Sequence, residues 1–384
     1  KLSKLDRFLH WEIMRRIVGY ILRKKVAKKA KPEHYPAPFQ IIENWVDYNV
    51  FDQEAMVMEA RGIGKLMVGK TAQNLVRVFF LREKLKGLSK VKEFKPTHVH
   101  VVGAGVMGGD IATWCALRGF QVTLQDTNLE AIAATFKRAQ KLFKRKLKLP
   151  HKIQAAKDRI TADSKGEGIK VADVIIEAIV EKEDAKKSLF ESLESQAKSS
   201  AILATNTSTI VLEKIRENMK NPERLVGIHF FNPVAQMPLV EIVHDEVTST
   251  DVMDKAITFV SRIDKLPLPV KSCTGFLVNR VLIPYLSESV NLIEEGIPPE
   301  VIDKAALDFG MPMGPVELAD KVGLDVCLSI LEVMHDGFGN PKYAPSPLLV
   351  NMVAAGKLGI KSGEGFYNYQ AGAKNKTVSA QFAK

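Results

Sequence analysis

The spacing of apolar and polar residues divides the chain into three stretches. The first, residues 1–95, has apolar positions at the spacing of an amphipathic helix and is interrupted by a proline-broken stretch at 32–38. An early example of that spacing is the set Phe8, Leu9, Trp11, Ile13, Met14 and Ile17. The pattern predicts a helical linker region over residues 1–95, in which no group of chemically reactive side chains stands out.

The second stretch alternates short β-rich runs with amphipathic helical runs. The predicted strands are residues 98–102, 122–125, 171–176, 201–204, 225–230 and 239–243. Such alternation is typical of an α/β domain with a doubly wound parallel sheet, because each helix returns the chain to the same end of the sheet. We therefore predict an α/β domain over residues 96–273.

The third stretch, from about residue 275, loses the β-rich runs and keeps only helical periods. The predicted helices are residues 276–295, 300–309 and 323–334. A separate all-α domain is therefore expected over residues 274–384. The segment 276–293 is apolar on most faces, so it must be covered on several sides, and the remaining helices are few for that task.

Composition limits the class of protein. At 384 residues the chain is longer than a single hydrophobic core usually supports, and no apolar run is long enough to cross a bilayer. The three cysteines, Cys115, Cys273 and Cys327, lack the spacing of a metal site or a disulfide framework. We expect a reducing environment and no bound metal.

A glycine-rich turn follows the first predicted strand and opens a predicted helix, which is the context that a dinucleotide fingerprint requires. The motif consists of Gly103, Ala104, Gly105, Val106, Met107 and Gly108. Gly103 allows the tight turn, Gly105 lets backbone N–H groups approach a pyrophosphate, and Gly108 lets the helix pack on the strand. The motif predicts a Rossmann-type sheet that binds a dinucleotide.

Asp126 ends the next predicted strand, 23 residues after Gly103. This is close to the roughly 20 residues expected for the carboxylate that binds the adenosine ribose. A carboxylate repels the 2′-phosphate of NADP, and Thr127 and Asn128 follow where an arginine would accommodate that phosphate. NAD is therefore the expected cofactor.

Two further residues predict chemistry near this site. His229 lies at the end of a predicted strand, where ligands gather in α/β sheets, although an isolated histidine there is often only a core residue. Glu241 lies in an apolar run, where a buried carboxylate needs a partner; the alternative is an exposed glutamate on an edge strand. We predict a pair in which His229 is the general base and Glu241 orients its ring.

The order and spacing of several motifs resemble the 3-hydroxyacyl-CoA dehydrogenase family. The motifs are residues 204–208 (Ala-Thr-Asn-Thr-Ser), 227–234 (Gly-Ile-His-Phe-Phe-Asn-Pro-Val), 239–241 (Leu-Val-Glu) and 275–280 (Gly-Phe-Leu-Val-Asn-Arg). Tyr285 and residues 311–318, 323–325 and 361–367 are similar to the helical domain of the same family. The resemblance covers residues 96 to about 370 and implies NAD-dependent oxidation of the 3-hydroxyl group of (S)-3-hydroxyacyl-CoA in fatty-acid β-oxidation.

The resemblance also implies roles for individual residues. Ser208, Asn232 and Asn279 are expected around the reacting oxygen or in positioning the substrate. From the residues alone, the alternatives are a helix N-cap for Ser208 and a satisfied core amide for Asn279.

At the nicotinamide side the resemblance places Glu181 and Lys186, with Ala178 at the end of the preceding strand and Asn206 nearby. By sequence pattern alone, Glu181 and Lys186 would be part of a solvated helix face.

Within residues 1–95, motifs at 35–38, 59–64 and 74–80 resemble the linker of multifunctional fatty-acid oxidation α-subunits. The chain has no initiator methionine or signal sequence, which is typical of a start inside a longer polypeptide. The resemblance thus implies a fragment of such a subunit, with a thiolase partner for the longer enzyme. A bacterial chain of this kind would be cytoplasmic, and a eukaryotic one mitochondrial or peroxisomal.

The family also pairs its helical domains, either between subunits or between two copies in one chain. Only the first copy is present here, so we expect homodimerisation or aggregation through residues beyond about 275.

Charge is concentrated at the start of the chain. Residues 1–31 contain eleven Lys or Arg and two acidic residues, a net charge of +9 out of +11 for the whole chain. Such a block suits an anionic membrane surface, the phosphates of CoA or a solvated linker helix, and no nucleic-acid recognition fold accompanies it. The alternatives to the dehydrogenase are a non-catalytic dinucleotide-binding scaffold and a related enzyme acting on another hydroxy acid.

Overall fold

The computed structural model describes residues 11–48, 53–89, 91, 93–369 and 376–382. The predicted apolar positions Phe8 and Leu9 and the basic residues Lys1, Lys4 and Arg7 therefore lie outside the described residues. The chain divides into two compact units, residues 1–84 and 85–384. Among the described helices, none combines the length and apolar character that a membrane span needs.

The first unit is helical, as its sequence pattern predicts. Its helices are α1 (Glu12–Ala27), α2 (Pro36–Asp47), α3 (Gln53–Met67) and α4 (Lys70–Lys86), the last of which crosses the boundary at residue 84. Helix α1 packs against α2, which in turn packs against α3. Gly19 permits the first contact, since a Cβ there would lie 2.3 Å from a methyl carbon of Val46.

The second unit contains an eight-stranded sheet. Its strands are β1 (His98–Val102), β2 (Gln121–Gln125), β3 (Ile160–Ala162), β4 (Val174–Glu177), β5 (Ile202–Thr205), β6 (Leu225–Phe230), β7 (Leu239–His244) and β8 (Leu266–Lys271). The helices between them are α5 (Val106–Leu117), α6 (Leu129–Lys146), α7 (Pro150–Asp158), α8 (Glu183–Gln196), α9 (Leu212–Ile215) and α10 (Thr250–Arg262). Two apolar cores, one on either face, bury the central strands. The predicted Rossmann-type class is confirmed.

The sheet differs from the prediction in strand direction and strand number. Its order is β3-β2-β1-β4-β5-β6-β7-β8, with parallel pairing from β3 to β6, but β7 runs antiparallel to β6 and pairs in parallel with β8. A wholly parallel sheet is therefore wrong, because the short connection from β6 to β7 has no crossover helix and the chain must reverse. Strands β3 and β8 were not predicted, since one is only three residues long and the other contains two prolines.

The helical part of the second unit follows directly. Its helices are α11 (Val278–Glu294), α12 (Pro299–Phe309), α13 (Pro315–Val322), α14 (Leu324–Phe338) and α15 (Pro347–Ala354). They share one apolar core, and the three predicted helices all form. The expectation that strands end near residue 275 is wrong in one detail, since the two-residue strands β9 (Tyr367–Asn368) and β10 (Thr377–Val378) pair antiparallel. Ladders of two residues carry no detectable alternation.

Candidate active site

A groove with a volume of about 960 Å³ runs along the carboxyl ends of the central strands. Ligands bind at this edge of open α/β sheets. The predicted cofactor residues that line it are Gly103, Gly105, Val106, Met107, Asp126, Ala178, Glu181, Lys186 and Asn206. Ser208 lines the groove as well, whereas Gly108 does not.

The glycine turn has the geometry that close approach of a phosphate needs. Gly103 has a φ of +104°, and a Cβ there would lie 2.5 Å from the carbonyl oxygen of Ala178. A Cβ on Gly108 would lie 1.9 Å from the carbonyl oxygen of Gly103, so this glycine lets α5 start against the turn. Gly105 has open space where a side chain would be, so the first turn of α5 is accessible from the groove. These residues fit a dinucleotide pyrophosphate.

Asp126 follows β2 and is tied to the glycine turn. Its carboxylate accepts hydrogen bonds from the backbone N–H of Ala104, at 2.6 Å, and of Asn128, at 2.8 Å. The side chain of Asn128 in turn caps α6 by accepting from Glu130 and Ala131. The carboxylate is thus held at the groove by the loops on both sides of it.

Three charged side chains meet below the groove. Lys186 is 1% exposed, and its Nζ lies 2.5 Å from Glu177 Oε1 and 3.2 Å from Glu181 Oε2. The buried Glu177 also accepts from the backbone N–H of Ile179 and the hydroxyl of Thr205. The interpretation of Lys186 as part of a solvated helix face is therefore wrong, because the lysine lies on the buried side of α8.

Glu181 builds the turn that carries Ser208. Its Oε1 accepts from the Thr207 hydroxyl at 2.5 Å and from the backbone N–H groups of Ser208 and Thr209 at 2.8 and 3.2 Å. Desolvation opposes ionisation of Glu181, but Lys186 and the Thr207 hydrogen bond outweigh it, so the pKa of Glu181 is lowered. Ser208 is not a helix N-cap, since the next helix begins at Leu212 after Val211.

His229 and Glu241 form a buried pair beside this turn. They are directly paired in the antiparallel ladder between β6 and β7, and His229 Nδ1 lies 2.8 Å from Glu241 Oε2. His229 is 4% exposed and Glu241 is fully buried. Glu241 is not on an edge strand, because β7 lies between β6 and β8. The carboxylate fixes the histidine tautomer and leaves Nε2 as the reactive nitrogen.

The second oxygen of Glu241 is held by the loop that ends at Leu277 together with Val278, the first residue of α11. Glu241 Oε1 accepts from the backbone N–H groups of Leu277, at 3.0 Å, and Val278, at 2.8 Å. The loop reaches this position through two left-handed residues, Gly275 at φ +71° and Phe276 at φ +47°. Sequence inspection did not identify this cradle, because only the fold brings the loop to the carboxylate.

Two aromatic rings pack against the histidine. The ring of Phe231 lies 4.6 Å from that of His229 between centroids, and the buried ring of Phe276 lies 5.7 Å away at its edge. Both phenylalanines stand inside the motifs that carry the family resemblance, so position within those motifs was the available signal. They hold the imidazole in an apolar setting.

The three predicted asparagines take different positions. Asn206 Oδ1 accepts from the backbone N–H of Phe230 and so ties the end of β5 to that of β6. Asn279 is 7% exposed, and its Nδ2 donates to the carbonyl oxygen of Ser208 at 3.1 Å. Asn232 lies just beyond β6 and is exposed. The structure thus brings Ser208 and Asn279 together beside the groove.

The helical part also contributes a wall that the sequence did not reveal. The residues of α14 that line the groove are Asp325, Val326, Ser329 and Ile330. The carboxylate of Asp325 is ion-paired with Lys361. Within the ranges that the structure describes, no cluster of three or more His, Cys, Asp or Glu side chains could hold a metal, and the three cysteines are free.

Comparison with known proteins identifies this arrangement. Residues 98–273 match the model of the 3-hydroxyacyl-CoA dehydrogenase NAD-binding domain, and residues 275–369 match that of the C-terminal domain. The chain belongs to the 3-hydroxyacyl-CoA dehydrogenase family. It is an NAD-dependent oxidoreductase of that family, and NAD is its cofactor.

Relatives include single dehydrogenases and longer subunits. The chain is 36% identical over 364 residues to a fatty acid oxidation complex subunit alpha from Idiomarina loihiensis, covering 91% of this chain and 50% of the relative. It therefore spans about half the length of the curated relatives it matches. Among solved structures, it is 37% identical to FadB2 of M. tuberculosis, with a TM-score of 0.70, covering 72% and 99% of the two chains. The chain is also 35% identical to (S)-3-hydroxybutyryl-CoA dehydrogenase from Ralstonia eutropha, with a TM-score of 0.68. This match covers 72% of this chain and 100% of the other.

Proposed function

We propose that this chain oxidises (S)-3-hydroxyacyl-CoA to 3-oxoacyl-CoA with NAD⁺ in fatty-acid β-oxidation. The observation that supports this most directly is the buried pair of His229 and Glu241 beside the dinucleotide groove. A base at that position can take the hydroxyl proton while the C3 hydrogen faces the cofactor. Family membership supplies the substrate class.

His229 acts as the general base. Its Nε2 accepts the proton of the 3-hydroxyl group, and the C3–H bond breaks with its electron pair as the C3–O bond becomes a carbonyl. NAD⁺, when bound, supplies the hydride acceptor. Glu241 stabilises the imidazolium that forms, and its own orientation is fixed by the N–H groups of Leu277 and Val278. Proton and hydride therefore leave the same alcohol without a free charge at the oxygen.

The remaining polar groups position the substrate. Ser208 is proposed to donate a hydrogen bond from its hydroxyl to the reacting oxygen, because its turn is held from one side by Glu181 and from the other by Asn279. Asn279 is proposed to position Ser208 through this turn and to lie beside the reacting oxygen of the substrate. Asn232, exposed at the end of β6, is proposed to contact the substrate at the mouth of the site.

The cofactor residues divide along the groove. Gly103, Gly105, Val106, Met107 and Gly108 are proposed to form the pyrophosphate turn. Asp126 is proposed to bind the adenosine ribose. Ala178, Glu181, Lys186 and Asn206 are proposed to form the nicotinamide end.

Domain organisation and partners are proposals as well. We assign the helical linker region to 1–95, the NAD-binding domain to 96–273 and the helical domain to 274–384. Because curated relatives are complex subunits, we propose that the chain acts as part of such a complex with a thiolase partner. For a bacterial source, the proposed location is the cytoplasm.

The helical domain carries a candidate contact surface. An apolar groove of about 1030 Å³ lies along α11 and α12, and it includes the exposed side chains of Val281, Val301 and Phe309. We propose that this groove supports homodimerisation of the chain.

The basic segment at residues 1–31 is proposed to add a weak, salt-sensitive attraction to anionic lipid or to CoA phosphates. Co-sedimentation with anionic vesicles tests the lipid contact, and no binding at low salt would leave an inert linker.

The central test is turnover of acetoacetyl-CoA with NADH, followed by NADH absorbance. NADPH replaces the cofactor in one control, and a keto acid without CoA replaces the substrate in another. We expect NADH and the thioester to be preferred. Preference for the free keto acid would contradict the proposed substrate, and absence of turnover with normal NADH binding would favour a dinucleotide-binding scaffold.

A further inference from the structure

The buried charges beneath the groove do not cancel. Two carboxylates, Glu177 and Glu181, share one ammonium group, Lys186, at 2.5 and 3.2 Å. Glu177 and Lys186 are almost completely buried, so water screens them little, whereas the side chain of Glu181 is 40% exposed toward the groove. With both carboxylates ionised, this triad carries a net charge of −1.

The triad lies at the end of the groove where the chemistry takes place. Asp126 marks the adenosine end by its position after β2, and the glycine turn marks the pyrophosphate. Glu181 holds the turn of Ser208, close to His229 on the neighbouring strand, so the ring that exchanges hydride must reach this end. The triad therefore faces the redox-active half of the cofactor.

Two other carboxylates line the groove: Asp126 lies at the adenosine end, where it accepts hydrogen bonds from backbone N–H groups, and Asp325 belongs to an ion pair. Asp325, on the wall that α14 contributes, is ion-paired with Lys361, and the pair is neutral overall. The nicotinamide ring is positively charged in NAD⁺ and neutral in NADH. A net negative charge nearby stabilises the first form more than the second.

We propose that the triad of Glu177, Lys186 and Glu181 makes the site discriminate between the two redox forms of the cofactor, in favour of NAD⁺. This inference rests on the proposed function only in taking the nicotinamide to lie at the triad. Within the triad, Glu177 is a positioning residue that holds Lys186. It is buried away from cofactor and substrate, and it holds Lys186 through one oxygen and Thr205 through the other.

The test is the ratio of two dissociation constants, Kd for NAD⁺ divided by Kd for NADH, in the full chain without substrate. NADH binding is followed by its fluorescence, and NAD⁺ binding by displacement of NADH. Glu177→Gln and Glu181→Gln each remove one negative charge, so we expect the ratio to rise about five- to twentyfold. A tenfold rise corresponds to a shift of about 30 mV in the midpoint potential of the bound cofactor. Lys186→Met removes the positive charge, so the ratio should fall.

Glu194→Gln is the matched control. Glu194 lies on α8, as Lys186 does, and is 9% exposed. It accepts hydrogen bonds from the backbone N–H groups of Lys220 and Asn221, and it does not line the groove. Its substitution should leave the ratio unchanged. If Glu177→Gln does not fold, Glu181→Gln tests the inference through a partly exposed side chain.

Opposite shifts for the carboxylate and lysine variants support the inference, since a loss of structure alone would weaken both forms of the cofactor together. Equal changes in both constants for all three variants would overturn it. Activity of the unmodified chain on acetoacetyl-CoA tests the proposed function separately. If the chain is active but the variants leave the ratio unchanged, only the charge effect is refuted. If the chain is inactive but the variants shift the ratio, only the proposed reaction is refuted.

Discussion

His229 and Glu241 face each other across the one antiparallel step of the main sheet, with 2.8 Å between Nδ1 and Oε2. Twelve positions separate them in sequence, and the reversal of the chain after β6 places them in register. Gly227, two residues before the histidine, lets the strands approach closely, because a Cβ there would lie 2.6 Å from Val243 Cβ. The pair is therefore fixed by backbone pairing as well as by its own hydrogen bond.

His229→Gln should remove the general base. We expect kcat to fall by about 10²- to 10⁴-fold, because glutamine cannot accept the hydroxyl proton. NADH affinity should change little, since the histidine lies away from the phosphate turn. Steady-state turnover and NADH titration measure the two effects, and a near-normal kcat would refute the assignment.

Glu241→Gln should impair turnover while keeping the side-chain shape. The imidazolium would lose its charged partner, so kcat should fall about 10²-fold or more. Glu246→Gln, an exposed position shortly after β7, serves as the control. Equal kcat values in the two variants would show that the charge of Glu241 has no role.

Asp126→Ala should weaken NADH binding about tenfold and narrow the preference over NADPH. The carboxylate would no longer repel a 2′-phosphate, and the backbone N–H groups of Ala104 and Asn128 would lose their acceptor. Dissociation constants for both cofactors measure the change. An unchanged ratio between them would place the ribose contact elsewhere.

Lys265 gives a pH dependence of stability. It is 5% exposed, its Nζ donates to the carbonyl oxygens of Val234 and Met237, and burial, followed by the nearby Arg118, lowers its pKa to about 8. The folded chain then releases this proton near pH 8, whereas the unfolded chain keeps it to about pH 10.4. The unfolded state therefore binds more protons in this window, and stability rises with pH.

The measurement compares urea unfolding at pH 7.5 and 9.5 for the unmodified chain and for Lys265→Met. In the unmodified chain, deprotonation of Lys265 should raise the free energy of unfolding by about 2 kcal/mol between these pH values. Lys265→Met should lose that increment. Parallel pH profiles for the two proteins would contradict the lowered pKa.

The apolar groove of the helical domain should cause association. Val281 is 69% exposed within it, and we expect a concentration-dependent dimer by light scattering over a dilution series. Val281→Asp should shift the chain toward monomer, whereas Val171→Asp, at a position 57% exposed outside the groove, should not. A clean monomer at tens of micromolar, without binding of a dye for exposed apolar surface, would contradict the proposed surface.

The sequence predicted the features that local pattern determines. The strand at 98–102, the glycine turn and a carboxylate after β2 follow from short-range spacing. The position of Glu241 inside an apolar run indicated that its carboxylate needs a partner. Lys186 is an exception, because its segment was predicted to be a solvated helix face although its spacing indicates burial. It stands four and seven residues before Phe190 and Leu193, both buried, so helical periodicity already placed it on the inner face of α8.

Other parts of the site depend on contacts that no local pattern encodes. The N–H groups of Leu277 and Val278 meet Glu241 across 36 and 37 positions, and Asp325 reaches the groove from another layer. The reversal at β7 differs from these contacts, because the connection at residues 231–238 is too short for a crossover helix, so the antiparallel step could have been predicted from the sequence.

Phe276 connects the stability of the protein to its catalytic geometry. A bulky residue at φ +47° carries about 1–3 kcal/mol of backbone strain, and glycine in its place would relieve it. The same replacement would remove the ring that packs on His229 and loosen the loop whose N–H groups hold Glu241. Because the Phe276 ring is buried in an apolar core, its loss would cost about 3–5 kcal/mol, more than the strain relieved, so selection for heat resistance and selection for turnover act in the same direction at this position.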